Sequence, residues 1–124
     1  MILENFYSIE SKTVIEENKS YSYDILINNK HIIFEGHFPD NPIMPGVCMM
    51  QITKEITEEL TNNTLFMRKC SNVKFTAIIN PEINKNLNLQ IAISTEENGD
   101  IKVKNITKFD ETIALKLTAY YKKV

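Results

Sequence analysis

The chain has 124 residues, 43% of them hydrophobic and 24% charged, with a formal net charge of −2. That length predicts one domain, 1–124, with enough apolar residues for a core. The charge balance and a single arginine, Arg68, argue against a nucleic-acid binder, an anionic-membrane binder or an arginine cluster for phosphate. No apolar run has the length of a membrane span. Met1 to Glu10 holds Glu4 and Glu10 and no basic start, so no secretory leader is expected and a cytoplasmic setting is. In that setting Cys48 and Cys70 read as small apolar residues, not as a disulfide or a ligand pair.

Alternation from Ser20 to Asn28, rich in Tyr and Ile, predicts a strand ending at the Asn28-Asn29 turn. His31 to Glu35 reads as a second strand, which places His31 on a surface or an edge. A proline-rich loop follows, and Gly46 then opens a helix that runs to about Leu60. Cys48, Ile52, Ile56 and Leu60 line its apolar row with Met49 beside them, while Lys54, Glu55, Glu58 and Glu59 form its wet face. Thr61-Asn62-Asn63 ends it. Leu65 to Ile79 is one long strand or a broken pair, stopped at Asn80-Pro81. Leu87, Leu89, Ile91 and Ile93 alternate as one face of a half-buried strand. Asn98-Gly99 is a two-residue hairpin signal. Ile101, Val103 and then Ile106 continue the pattern with a slip that suggests a bulge. Asp110-Glu111 is the next turn, and Ile113, Leu115, Leu117 and Ala119 line the last strand. The predicted order is β-β-α-β-β-β-β. The class is α+β, with one long helix packed on an antiparallel sheet.

Chemistry concentrates in residues 36–51, Gly-His-Phe-Pro-Asp-Asn-Pro-Ile-Met-Pro-Gly-Val-Cys-Met-Met-Gln. Pro39, Pro42 and Pro45 stiffen the stretch around His37. The imidazole lies a few residues before a helix N-terminus, with its unpaired N–H groups and positive dipole end. A base beside an anion site suits proton abstraction next to a carbonyl. Pro45 near the first helical position is favourable in itself, and Gly46 lets the backbone come close to a ligand. No metal-ligand spacing, glycine-rich phosphate loop or serine elbow motif is visible.

The same stretch resembles the signature of the 3-hydroxyacyl-acyl-carrier-protein dehydratases of the hot-dog fold. That signature is Gly-His-Phe-Pro, two variable residues, Pro, two variable residues, then Pro-Gly-Val. Gly36, His37, Phe38, Pro39, Pro42, Met44, Pro45, Gly46 and Val47 all fit. The likeness covers about Ile32 to Pro81 in order and spacing; the outer strands match only in pattern, and the N-terminal region is short. It implies a curved sheet wrapped on one helix, a homodimer, no cofactor, and dehydration of a 3-hydroxyacyl thioester on acyl carrier protein. It also implies roles: His37 takes the α-proton, and the Gly46 or Val47 amide meets the thioester carbonyl. By their own chemistry Met44, Met49 and Met50 read as core and tunnel lining, and Phe38 and Phe75 admit the same two readings, core or acyl-chain wall. Lys69, Lys74, Lys85 and Lys122 are available for an acidic carrier.

One position departs. Where the family has a carboxylate that works with the histidine of the opposite subunit, this chain has Gln51. An amide neither donates nor accepts a proton at physiological pH, though it can orient a hydroxyl. Glu55, one helical turn on and roughly 6 Å away, is either a substitute acid or a solvated glutamate beside Lys54 and Glu58. Two rival readings follow: a catalytically silent subunit that completes an active partner, and an acyl thioesterase.

Overall fold

The computed structural model describes residues 4–38 and 40–124. Strands β1 (Tyr7–Glu16) and β2 (Ser20–Ile27) are followed by a single helical turn, α1 (Ile33–Gly36), and the long helix α2 (Gly46–Thr61). Strands β3 (Leu65–Phe75), β4 (Asn86–Thr95), β5 (Ile101–Phe109) and β6 (Thr112–Lys123) complete the chain. All six strands form one antiparallel sheet in the order β1-β2-β4-β5-β6-β3. One core joins Cys48, Met49, Ile52 and Ile56 of α2 to inward rows from the central strands. Those rows are Tyr23 and Ile25, Leu87, Leu89 and Ile91, Val103, and Leu115, Leu117, Ala119 and Tyr121. Sheet and helix thus each cover the other's apolar face. No helix among the described residues is long and apolar enough to cross a membrane.

The turns fall where their chemistry asks. Asn62 ends α2 in the left-handed conformation, at φ 53°, and its N–H returns to the Glu58 carbonyl. Gly99 turns the β4–β5 hairpin at φ 90°, which glycine adopts without steric cost. Asp110 takes φ 52° between β5 and β6. Arg68, the bulged residue of β3, donates to both carboxylate oxygens of Asp100 at 2.6 and 3.2 Å and ties the hairpin to the sheet's far edge.

Three points of the sequence reading need correction. His31 to Glu35 is not a strand: Phe34 N–H bonds the His31 carbonyl and Glu35 N–H bonds that of Ile32, so the chain coils. Burying Phe34 on Phe6, ring centroids 5.5 Å apart, outweighs the strand propensity of Ile32-Ile33-Phe34. Conversely, Tyr7–Glu16 is a strand that the pattern does not announce. It is an edge strand, exposed along nearly its whole length, so it lacks the alternation a half-buried strand shows.

The slip expected near Ile106 is absent, since β4 and β5 pair without a break from Asn88↔Lys108 to Thr95↔Ile101. Asn105 and Thr107 simply continue the inward row, buried at 1% and 0% exposure. Their polar atoms are matched: Asn105 Nδ2 donates to Thr53 Oγ1 at 2.8 Å, and Thr107 Oγ1 donates to Asn105 Oδ1 at 3.1 Å. The irregularity lies further on, where Thr107 pairs with Leu115 and Lys108 with Ile113, leaving Ala114 as the extra residue. That bulge turns Ile113 outward and buries Ala114. The Ala114 carbonyl then accepts the N–H of Thr76 at 2.9 Å and of Ala77 at 3.4 Å, just beyond β3.

Candidate active site

The loop between α1 and α2 is held by backbone bonds. Ile43 N–H donates to the His37 carbonyl at 2.9 Å, and Asn41 N–H to that of Phe38 at 3.1 Å. Met44 N–H reaches the Ile79 carbonyl at 2.9 Å, which moors the loop to the segment after β3. Three prolines cannot donate, so the loop depends on these few N–H groups.

His37 is half-buried and its ring stacks on Phe38 with centroids 4.5 Å apart. Its Nδ1 lies 3.3 Å from the Ile43 carbonyl oxygen. A carbonyl only accepts, so this contact assigns the proton of the neutral ring to Nδ1. Nε2 then carries the lone pair and is the basic atom. His31 is built differently. Nδ1 accepts the Ile33 N–H at 3.1 Å, Nε2 lies 3.1 Å from the Glu4 carbonyl, and the ring meets Phe6 edge-on. Both of its nitrogens serve the fold.

Helix α2 begins without a side-chain cap, because Pro45 stands at the N-cap, and without an acidic residue in its first turn. Cys48 N–H turns back to the Pro45 carbonyl at 3.0 Å. The N–H groups of Gly46 and Val47 therefore lead the positive end of a helix that nothing on its own first turn neutralises. Gly46 lies beneath the Phe75 ring: a β-carbon there would stand 2.6 Å from Phe75 Cζ. The Phe75 ring, and not backbone conformation, is what a larger side chain here would have to displace. Val47 and Phe75 are 63% and 54% exposed, and Phe38 is exposed as well. Met44 is buried in the core, and Met50 packs half-buried against it.

Gln51 lies on the second turn of α2. Its Nε2 donates to Glu55 Oε2 at 3.0 Å, and Tyr7 Oη donates to Glu55 Oε1 at 2.9 Å. The expectation that Glu55 sits on a solvated face is thus corrected: it is half-buried and hydrogen-bonded from two sides. Burial, and after it the bond to Glu55, pushes the Tyr7 hydroxyl far above the ordinary phenol range. Tyr7 was not among the sequence candidates, since it is 48 residues from Glu55 and carries no motif. Within one chain the described residues show no hydrogen bond between His37 and Gln51; the structure brings each to its own partners. Burial raises both thiols, Cys48 and Cys70, and both are free cysteines. Among the described residues no cluster could hold a metal ion. A cavity of about 700 Å³ lies elsewhere, beside the end of α2, and its lining includes neither His37 nor Gln51.

A six-stranded antiparallel sheet wrapped on one long helix, with a histidine loop feeding the helix start, is the plan of a hot-dog dehydratase. The family model described as ApeI-like, ApeI dehydratase, matches residues 12–115, and the chain belongs to that family. Among curated relatives, the 3-hydroxyacyl-acyl-carrier-protein dehydratase FabZ of Caldanaerobacter subterraneus subsp. tengcongensis is 27% identical over 116 residues, 88% of this chain and 81% of that protein. Among solved structures, the dehydratase heterocomplex ApeI:P from Xenorhabdus doucetiae superposes with a TM-score of 0.69 at 16% identity, covering 92% of this chain and 96% of that one. An uncharacterized protein from Erwinia carotovora subsp. atroseptica superposes at 0.60 with 14% identity, covering 96% of each chain. These matches bear out the expected hot-dog fold and the dehydratase family.

Proposed function

We propose that the chain dehydrates a 3-hydroxyacyl thioester, carried on acyl carrier protein, to the trans-2-enoyl thioester. The observation that carries this reading is the His37–Ile43 contact, which leaves Nε2 as the base on a loop moored at an uncapped helix start. Nε2 takes the α-proton, and the Cα–H electron pair forms the new double bond as the β-carbon–oxygen bond breaks. Negative charge growing on the thioester oxygen is met by the Gly46 and Val47 N–H groups. With no carboxyl at position 51, the imidazolium itself hands its proton to the departing oxygen, which leaves as water. Gln51 orients that hydroxyl. Phe38, Met44, Met50 and Phe75 line the acyl path. No step in this sequence calls for a cofactor or a metal.

The site is completed by a second copy. β3 is an edge strand, with unpaired backbone groups, and it exposes Phe66, Val73 and Phe75. Exposed Val47 and Ile78 add to this apolar surface, which suits an interface. In the dimer His37 faces Gln51 of the other subunit. Sedimentation at micromolar concentration is expected to give a dimer or a multiple of dimers; a monomer would overturn this assembly. Exposed Lys69, Lys74, Lys85 and Lys122 are available to an acidic carrier, in a cytoplasmic enzyme of acyl-chain synthesis.

A second reading is a silent subunit that completes an active partner. Gln51 favours it, and the Xenorhabdus relative is a heterocomplex. Assay of the purified chain alone against a trans-2-enoyl thioester separates the readings. Hydration, the reverse reaction, is expected. Release of free thiol would mean a thioesterase, and no reaction at all would favour the silent subunit.

A further inference from the structure

We propose that Glu55 and Tyr7 are positioning residues that fix the Gln51 amide with its carbonyl oxygen toward the substrate, so that Gln51 accepts the hydrogen of the 3-hydroxyl. The proposal rests on the dehydratase reading and assigns the direction of one hydrogen bond within it.

The two ends of a glutamine amide have the same shape, so only the partners decide which end faces where. The partner here is a carboxylate oxygen, which accepts and does not donate. The Gln51 atom 3.0 Å from Glu55 Oε2 must therefore be Nε2. Oε1 branches from the same carbon and turns away from Glu55. Glu55 cannot swing to release the amide without leaving Tyr7, whose hydroxyl donates to its other oxygen at 2.9 Å. Tyr7 comes from β1 at the sheet's edge, so the brace joins two elements and not merely two turns of one helix. The raised Tyr7 hydroxyl stays protonated and so remains a donor.

The direction has a chemical consequence. A 3-hydroxyl that gives its hydrogen to Gln51 Oε1 keeps its lone pairs free. Those lone pairs are what the His37 imidazolium must reach to deliver the proton that turns hydroxide into water. An amide flipped the other way would place an N–H on the lone pairs and compete with that delivery. Gln51 in this setting is an acceptor that aims the leaving group, a different task from the proton donation a carboxylic acid performs.

The test compares binding of a 3-hydroxyacyl thioester with that of the saturated acyl thioester of equal length. Wild type is expected to prefer the hydroxylated ligand. Glu55→Gln keeps the shape and packing of residue 55 but no longer dictates the flip, and the preference is expected to fall by about threefold to tenfold, the scale of one hydrogen bond. Tyr7→Phe removes the brace and should lower the same ratio by less; it also supplies the readout should Glu55→Gln fold poorly. A purely structural role for Glu55 would weaken both ligands equally and leave the ratio alone. An active wild type whose preference survives both substitutions overturns the proposal and leaves the dehydratase reading standing. A wild type that binds neither ligand and hydrates no enoyl thioester overturns both.

Discussion

His37→Ala is expected to abolish hydration of an enoyl thioester and to leave the melting curve in place. Removing a general base costs about 10² to 10⁴ in rate, and the mechanism proposed here uses the same imidazole twice, as base and then as acid. The upper end of that range is therefore expected. The fold should not notice. The loop is closed by the Ile43 N–H on the backbone carbonyl of residue 37, a bond that alanine retains. What disappears is one long contact at 3.3 Å and the stack on an exposed phenylalanine. Turnover that persists with an unchanged melting curve would remove His37 from the mechanism.

Gln51→Glu is expected to change the shape of the pH profile. In wild type a single imidazole serves as base and then as acid, so kcat/KM should rise with pH to a plateau and show no alkaline limb. The substitution replaces an amide nitrogen 3.0 Å from Glu55 Oε2 with a carboxylate oxygen. Two carboxylates at that distance cannot both ionise, and they share a proton. The Tyr7 bond favours the charge on Glu55, so the proton belongs mostly to the new carboxyl at position 51. Its pKa is raised, which keeps it protonated to higher pH, where it can serve as general acid. The rate should increase, by up to about 10²-fold, and the plateau should become a bell with an alkaline limb. A variant profile that keeps the wild-type plateau would show that no such pair forms. A bell in wild type that vanishes in Glu55→Gln would instead give Glu55 the acid role and end the single-base account.

The loop and helix that carry the candidate residues were more legible in the sequence than the strands around them. His37, Gly46 and Gln51 fall within fifteen residues, so one short stretch places all three on the loop and the helix start. The helix was legible because its apolar row repeats at helical spacing, and β4 because Leu87, Leu89 and Ile91 alternate. Tyr7 was not, for its meeting with Glu55 depends on a sheet edge folding back across 48 residues. Asn105 and Thr107 hid an inward row, because pattern reading counts only apolar residues and these two are buried in a matched polar network. His31 to Glu35 misled for the opposite reason: isoleucines that favour strands occupy a turn whose one buried side chain is Phe34.

The bulge at Ala114 has a bearing on descent. From it a path of contacts leads to the His37 loop: the Ala114 carbonyl holds Thr76 and Ala77, the Ile79 carbonyl holds Met44, and Ile43 holds the His37 backbone. Every one of these bonds joins main-chain atoms. Side chains along the path can be exchanged without cutting it, so long as none becomes proline where an N–H is used. The placement of the imidazole is therefore inherited through backbone geometry and not through residue identity. Such a scaffold lets sequences drift until few positions agree while the loop still arrives at the helix start.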